Sequence, residues 1–167
     1  MATLSKQDMI KALRRVGEIA LERGTRVELL VVGGAFMVLA FNARTATKDI
    51  DAVFLNPPDA RELRAIADRV ALEYGWPTDW LNDAAKGYLV GHSDGAVLLE
   101  GPGIEVRGPA VEQILAMKLS AWRDDVDIED ASLLMKELAK SANRLEVWES
   151  LGQFLVPGSQ LKAQYAF

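Results

Sequence analysis

Residues 27 to 55 read VELLVVGGAFMVLAFNARTATKDIDAVFL, two apolar runs of which the first ends in a glycine pair and the second opens on two aspartates one residue apart. This stretch constrains the fold more than any other. Val27–Val32 is short, apolar and β-branched, which predicts a buried strand. Gly33-Gly34 supplies a turn, and AFMVLAFN predicts a short helix ending near Asn42. Asp49 to Leu55 predicts a second strand, stopped by Asn56-Pro57-Pro58. A strand that feeds a glycine turn into a helix start aims backbone N–H groups and the positive end of the helix dipole at one point, an anion site in outline. On the second strand, side chains at i and i+2 share a face, with Cα atoms roughly 6.5–7 Å apart. Asp49 and Asp51 can therefore converge, and burying carboxylates costs free energy unless something compensates them. Mg²⁺, which takes carboxylates together with phosphate oxygens, fits that need. Solvated ion pairs with Lys48 and Arg44 are the plainer reading of the two acids. The glycine turn one short helix upstream favours the site, because phosphate donors and metal carboxylates then lie on one edge of the sheet. A dinucleotide-binding unit fits poorly: GGAFMV lacks the G-x-G-x-x-G spacing, and the acids precede their apolar run.

The rest of the chain surrounds this unit with helices. SKQDMIKALRRVGEIALER, residues 5 to 23, predicts a helix with Ser5 as N-cap, Asp8 three residues on, and Ile10, Leu13, Val16 and Ile19 or Ala20 as its apolar stripe. A second helix runs from about Asp59 to Tyr74 with Leu63, Ile66, Ala67 and Val70 inward. GWPTDWLND reads as a loop whose Trp76 and Trp80 are packing anchors. Short strands follow at 96–100 and 104–107, divided by GPG. From Pro109 onward the period is helical, in PAVEQILAMKLSAW, IEDASLLMKELAKS and RLEVWESLGQFL. The expected fold is α/β (α+β): a small mixed sheet flanked by helices, with a helical C-terminal third. A single domain over residues 1–167 is expected, its core about 25–108 and its helical part about 109–167.

Composition narrows the function. Half of the 167 residues are hydrophobic and 26% are charged, as in an ordinary globular protein. A net charge of −5 argues against holding nucleic acid by bulk electrostatics, and no DNA partner is expected. Without cysteine there are no disulfides or thiolate metal sites, and the single histidine, His92, makes a histidine metal site or a Ser-His-Asp triad improbable. No apolar run reaches the roughly 18 residues of a membrane span, and MATLSKQD lacks a signal-peptide pattern. A cytoplasmic protein is expected.

Gly33-Gly34, the short helix, and Arg44-Thr45-Ala46-Thr47-Lys48-Asp49-Ile50-Asp51 together resemble the signature of the polymerase-beta-type nucleotidyltransferase superfamily, in particular the minimal nucleotidyltransferases of bacterial toxin–antitoxin and abortive-infection systems. The resemblance covers residues 27–55, with a weaker echo in residues 104–134. It implies that the glycine motif opens a helix holding the β- and γ-phosphates of a nucleoside triphosphate, and that Asp49 and Asp51 carry Mg²⁺. Arg44, Thr47 and Lys118 become further nucleotide-binding positions. The acceptor implied is a tRNA end or a protein hydroxyl, and a toxin or antitoxin partner protein is the implied setting. Two departures stand out. The turn is Gly-Gly where family members often have Gly-Ser, so a hydroxyl contact to phosphate is missing. No aspartate matches the third carboxylate of active members; Glu100 is the preferred candidate and Glu105 the other. The alternative is a catalytically degenerate nucleotide-binding or partner-binding module.

Lys118 falls on the same helical stripe as Val111, Ile114 and Leu115. A lysine there must snorkel, pair with an acid or serve a ligand. The acidic run RDDVDIED, residues 123–130, reads as a helix start, with Asp127 as N-cap and Asp130 at N3.

Overall fold

Ser5 starts the first helix with a reciprocal cap. Its hydroxyl accepts the Asp8 N–H at 3.1 Å, and the Asp8 carboxylate accepts the Ser5 N–H at 3.0 Å. The computed structural model describes residues 3–42, 46–91, 93–124 and 127–167, Ala85 and Tyr88 by their backbone alone. Among these residues the chain forms seven α-helices, a five-stranded mixed sheet and a two-stranded ribbon, the mixed α/β architecture expected. They fall into two compact units, Met1–Ala85 with Ala96–Gly108, and Lys86–Gly95 with Pro109–Phe167. No helix among the described residues is long and apolar enough to cross a membrane.

The first unit runs β1 (Leu4–Ser5), α1 (Lys6–Glu22), β2 (Val27–Val32), α2 (Gly33–Phe41), β3 (Ala46–Thr47), β4 (Ile50–Asn56), α3 (Ala60–Tyr74), β5 (Leu81–Asn82), β6 (Val97–Gly101) and β7 (Ile104–Arg107). The sheet order is β5-β4-β2-β7-β6. β2 is antiparallel to β4 and parallel to β7; β5 is parallel to β4, and β6 antiparallel to β7. One face is apolar and fully covered: Val27, Leu29, Val31, Ile50, Ala52, Ile104 and Val106 are all buried. Against that side lies α1, whose inward stripe is Met9, Leu13, Val16 and Ala20, one position off the expected Ile10. The fit is backbone on backbone. A Cβ on Gly17 would meet the Pro102 carbonyl at 2.4 Å, and one on Gly103, at φ +75°, would meet the Gly17 carbonyl at 2.1 Å. The opposite face carries Glu28, Leu30, Asp51, Val53, Glu105 and Arg107, alternating with the buried set.

The presumed loop after α3 is ordered. Trp80 is wholly buried, and its indole N–H donates to the Ala67 carbonyl at 2.9 Å. Arg64 donates to the carbonyls of Thr78 at 2.9 Å and Leu81 at 2.7 Å. These bonds hold residues 78–82 to α3 and allow Leu81–Asn82 to add β5 beside β4. Two-residue strands such as β1, β3 and β5 carry no periodicity, so pattern reading does not find them.

In the second unit α4 (Val111–Ser120) packs against α5 (Ile128–Leu138), α6 (Arg144–Leu151) and α7 (Gln160–Ala166). Buried Gln113 ties in the segment before it: its amide donates to the Val90 carbonyl at 2.9 Å and accepts from Ser93. Ser120 accepts the Val156 N–H at 3.2 Å and so fixes the turn into α7, a helix absent from the sequence expectation.

Candidate functional site

β2 enters α2 without an intervening residue. Val32 is extended at φ −130°, and Gly33 takes φ +64°, a conformation that favours glycine. No side chain caps the first turn of α2, so its backbone N–H groups are not claimed by a cap. Val32 pairs with Asp51 across the antiparallel ladder, and this register brings the acid to the helix start. A Cβ built on Gly33 would lie 3.6 Å from Asp51 Oδ2. Gly33 and Asp51 are therefore neighbours in space. Gly34 follows in the same first turn, half-buried.

Asp51 is half-buried, and burial, reinforced by the charge of Asp49, pushes its carboxyl up to about 6. Asp49, one residue before β4, is raised by burial and by the charge of Asp79; a hydrogen bond from Asn82 and the charge of Lys48 act in the opposite sense. Beside it opens a cavity of about 270 Å³ lined by Lys48, Asp49, Pro77 and Asp79. The two carboxylates repel each other in a partly dry setting, which a divalent cation would relieve. Among the described residues no three His, Cys, Asp or Glu side chains cluster closely enough to form a metal cage. A two-carboxylate site suits Mg²⁺, which retains waters and takes phosphate oxygens, rather than an all-protein cage.

Glu100 does not join the aspartates, and the strand register gives the reason. It pairs with Glu105, which pairs with Glu28, four residues from Val32 along β2. Glu100 is thus about 13 Å along the strands and three strand spacings, about 14 Å, across the sheet from Asp51. It and Glu105 instead surround Arg26, at 3.9 and 3.4 Å. Thr47 sits in the ribbon, paired with Leu4. Arg44 and His92 lie outside the described residues.

Lys118 belongs to the second unit and is not open to a triphosphate as expected. Its ammonium lies 3.2 Å from Asp127 Oδ1 and 3.0 Å from Asp130 Oδ2, both carboxylates almost fully buried. Asp127 holds the N-cap position of α5 but makes no capping bond. Its oxygens accept instead from Lys118 and from the Arg123 backbone and guanidinium, at 2.8 to 3.3 Å. Burial pushes its carboxyl up, and these partners outweigh burial and hold it below the usual range. Asp127 and Asp130, read from the sequence as the start of a helix, are thus also the counter-charges of Lys118.

Pattern reading also missed Asn82 and Asp79 beside Asp49; both come from the stretch taken as a loop. No protein-family model matches the chain, and neither a curated protein nor a solved structure is significantly similar to it.

Proposed function

We propose that this chain is a nucleotidyltransferase that moves a nucleoside monophosphate from a nucleoside triphosphate to a hydroxyl of RNA or protein, using Mg²⁺. The observation that carries the reading is the meeting of Gly33, at the uncapped start of α2, with Asp51. An anion-binding helix start and a carboxylate pair make sense together when one ligand carries both phosphate and metal. Gly33, Gly34 and the first turn of α2 would cradle the β- and γ-phosphates; Arg44 and Thr47, between the two motifs, are candidate nucleotide contacts. Asp49 and Asp51 would hold Mg²⁺, which when bound neutralises the triphosphate and stabilises the departing pyrophosphate. The acceptor hydroxyl forms a new ester bond to the α-phosphorus as the bond to the β-phosphate breaks. A role beside a toxin or antitoxin partner in the cytoplasm belongs to this same reading.

The test is transfer of label from each of four α-labelled nucleoside triphosphates, with Mg²⁺, to total RNA and to protein. Label that appears with one nucleotide and vanishes in Asp51→Asn is the expected result. An Asp51→Asn protein as active as the wild type would sink the reading. That Glu100 does not join Asp49 and Asp51 favours one alternative, a degenerate module of the same kind. It predicts Mg²⁺-dependent nucleotide binding without turnover.

A further inference from the structure

We propose that the helical second unit carries a binding site for a small aromatic carboxylate, with Arg144 as the group that takes the carboxylate. The site belongs to a different unit from Gly33 and Asp51 and does not depend on nucleotidyl transfer. A cavity of about 590 Å³ opens among α4, α5, α6 and α7. That lies within the roughly 300–1,000 Å³ typical of sites for small organic ligands. Its floor is apolar, with Leu115, Leu119 and Ala131 all buried. Trp122, Tyr165 and Phe167 bring three aromatic rings to the wall, and Met135 adds a polarizable thioether that packs well against rings. Such a lining suits a flat aromatic body. Ile128 is 56% and Tyr165 75% exposed, so the cavity meets solvent past large apolar side chains.

Charge decides what the ligand carries. Arg144 lies on the cavity wall in the first turn of α6, and its guanidinium is oriented by the protein itself. One N–H donates to the Phe167 carbonyl, and the guanidinium carbon stands 4.7 Å from the centroid of the Phe167 ring. That ring in turn packs on Trp148, at 5.0 Å. Among the described residues no side-chain carboxylate pairs with Arg144, unlike Arg123, which is held by Asp127. A guanidinium has five N–H donors in a planar fork, so it can take a carboxylate with the donors that Phe167 leaves over. The acid among the described lining residues, Asp124, is engaged by the Trp122 indole N–H at 2.6 Å. An aromatic carboxylate would therefore cover the apolar floor with its ring and meet, at its other end, a positive charge that lacks a carboxylate partner.

Titrating the whole, isotope-labelled chain with naphthylacetate and with its neutral isostere naphthylacetamide tests the proposal, read by nuclear magnetic resonance at the tryptophan indole N–H signals. Both probes should move the Trp122 signal saturably and leave those of Trp76 and Trp80, in the first unit, in place. The carboxylate should bind about fivefold more tightly than the amide, the upper end for an exposed ion pair. Arg144→Met should abolish that preference and keep the affinity for the amide. Ser132→Trp, at an exposed position on the cavity wall, should block both probes. Equal affinity for the two probes in wild type, or a preference that survives in folded Arg144→Met, overturns the proposal. So does the lack of a saturable shift up to the solubility of the probes, or movement of Trp76 and Trp80 in step with Trp122. Should Arg144→Met lose the wild-type circular dichroism spectrum, the two probes on wild type and on Ser132→Trp decide. None of these readouts uses a nucleotide or a metal ion, so this site and nucleotidyl transfer stand or fall separately.

Discussion

Asp51 sits against Gly33 and near Asp49, where its neutral form is favoured and its carboxyl titrates near 6 in place of the ordinary 3.8. The folded protein therefore holds this proton more tightly than the unfolded chain. Its contribution to stability is complete below about pH 4 and is lost as pH rises through 6. Solvent screening of a half-buried group reduces the effect to about 1–2 kcal/mol. Asp51→Asn should remove that loss, so the variant should be more stable than wild type above pH 6 and nearly equal to it at pH 4. Urea melts of both proteins at a series of pH values would check this. Lys118 shows the opposite case, a charge whose partners are in place. Lys118→Met removes the ammonium shared by two nearly buried carboxylates, Asp127 and Asp130, and breaking a buried pair costs about 3–5 kcal/mol. Arg123 remains on Asp127, so a loss near 3 kcal/mol in urea unfolding is expected; a wild-type midpoint would mean the triad contributes little.

At the scale of elements, α1 crosses the β6–β7 turn glycine to glycine, with no room for a side chain on Gly17 or Gly103. Gly17→Ala would push a methyl into the Pro102 carbonyl, an atom that cannot rotate away as a side-chain tip can. Overpacking of this kind costs about 1–3 kcal/mol, and the melting temperature should fall accordingly; a Gly24→Ala control, with nothing within 4 Å of the added Cβ, tests the φ penalty alone. The elements legible in the sequence are those with a local signal. The Ser5–Asp8 cap, the β-branched run of β2 and the Gly75 stop of α3 are each specified within a few neighbouring residues. β5 was not legible, since Leu81–Asn82 becomes a strand only because Trp80 and Arg64 dock the segment beside β4. The site reads the same way: Asp49, Asp51 and Gly33 announce themselves, whereas Asn82 is silent until β5 exists.

For the whole molecule, net charge and ligand linkage set what a bulk measurement can see. With −5 overall, binding to RNA driven by electrostatics alone would be weak, so an RNA acceptor would have to be engaged through local contacts. A cation that binds only the folded state stabilises it, by about 1.4 kcal/mol at ten times its dissociation constant. Millimolar Mg²⁺ should therefore raise the melting temperature of the wild type and leave Asp51→Asn unmoved. An equal rise in both would point to Mg²⁺ acting on the acidic surface at large and not on the two aspartates.

The amino-acid sequence alone determined the mixed α/β class and the strand–glycine–helix unit, and it placed Asp49 near Asp51, because each follows from periodicity, propensity and turn chemistry acting over a few residues. Only the tertiary structure decided which groups those residues meet. Glu28, Glu105 and Glu100 line up at the far end of the strands through the pairing of β2, β7 and β6, segments distant in sequence. Lys118 finds Asp127 and Asp130 because α4 packs on α5, and a buried ammonium takes the nearest carboxylates available. Register and helix docking depend on the packing of many side chains at once, and no local pattern carries that information.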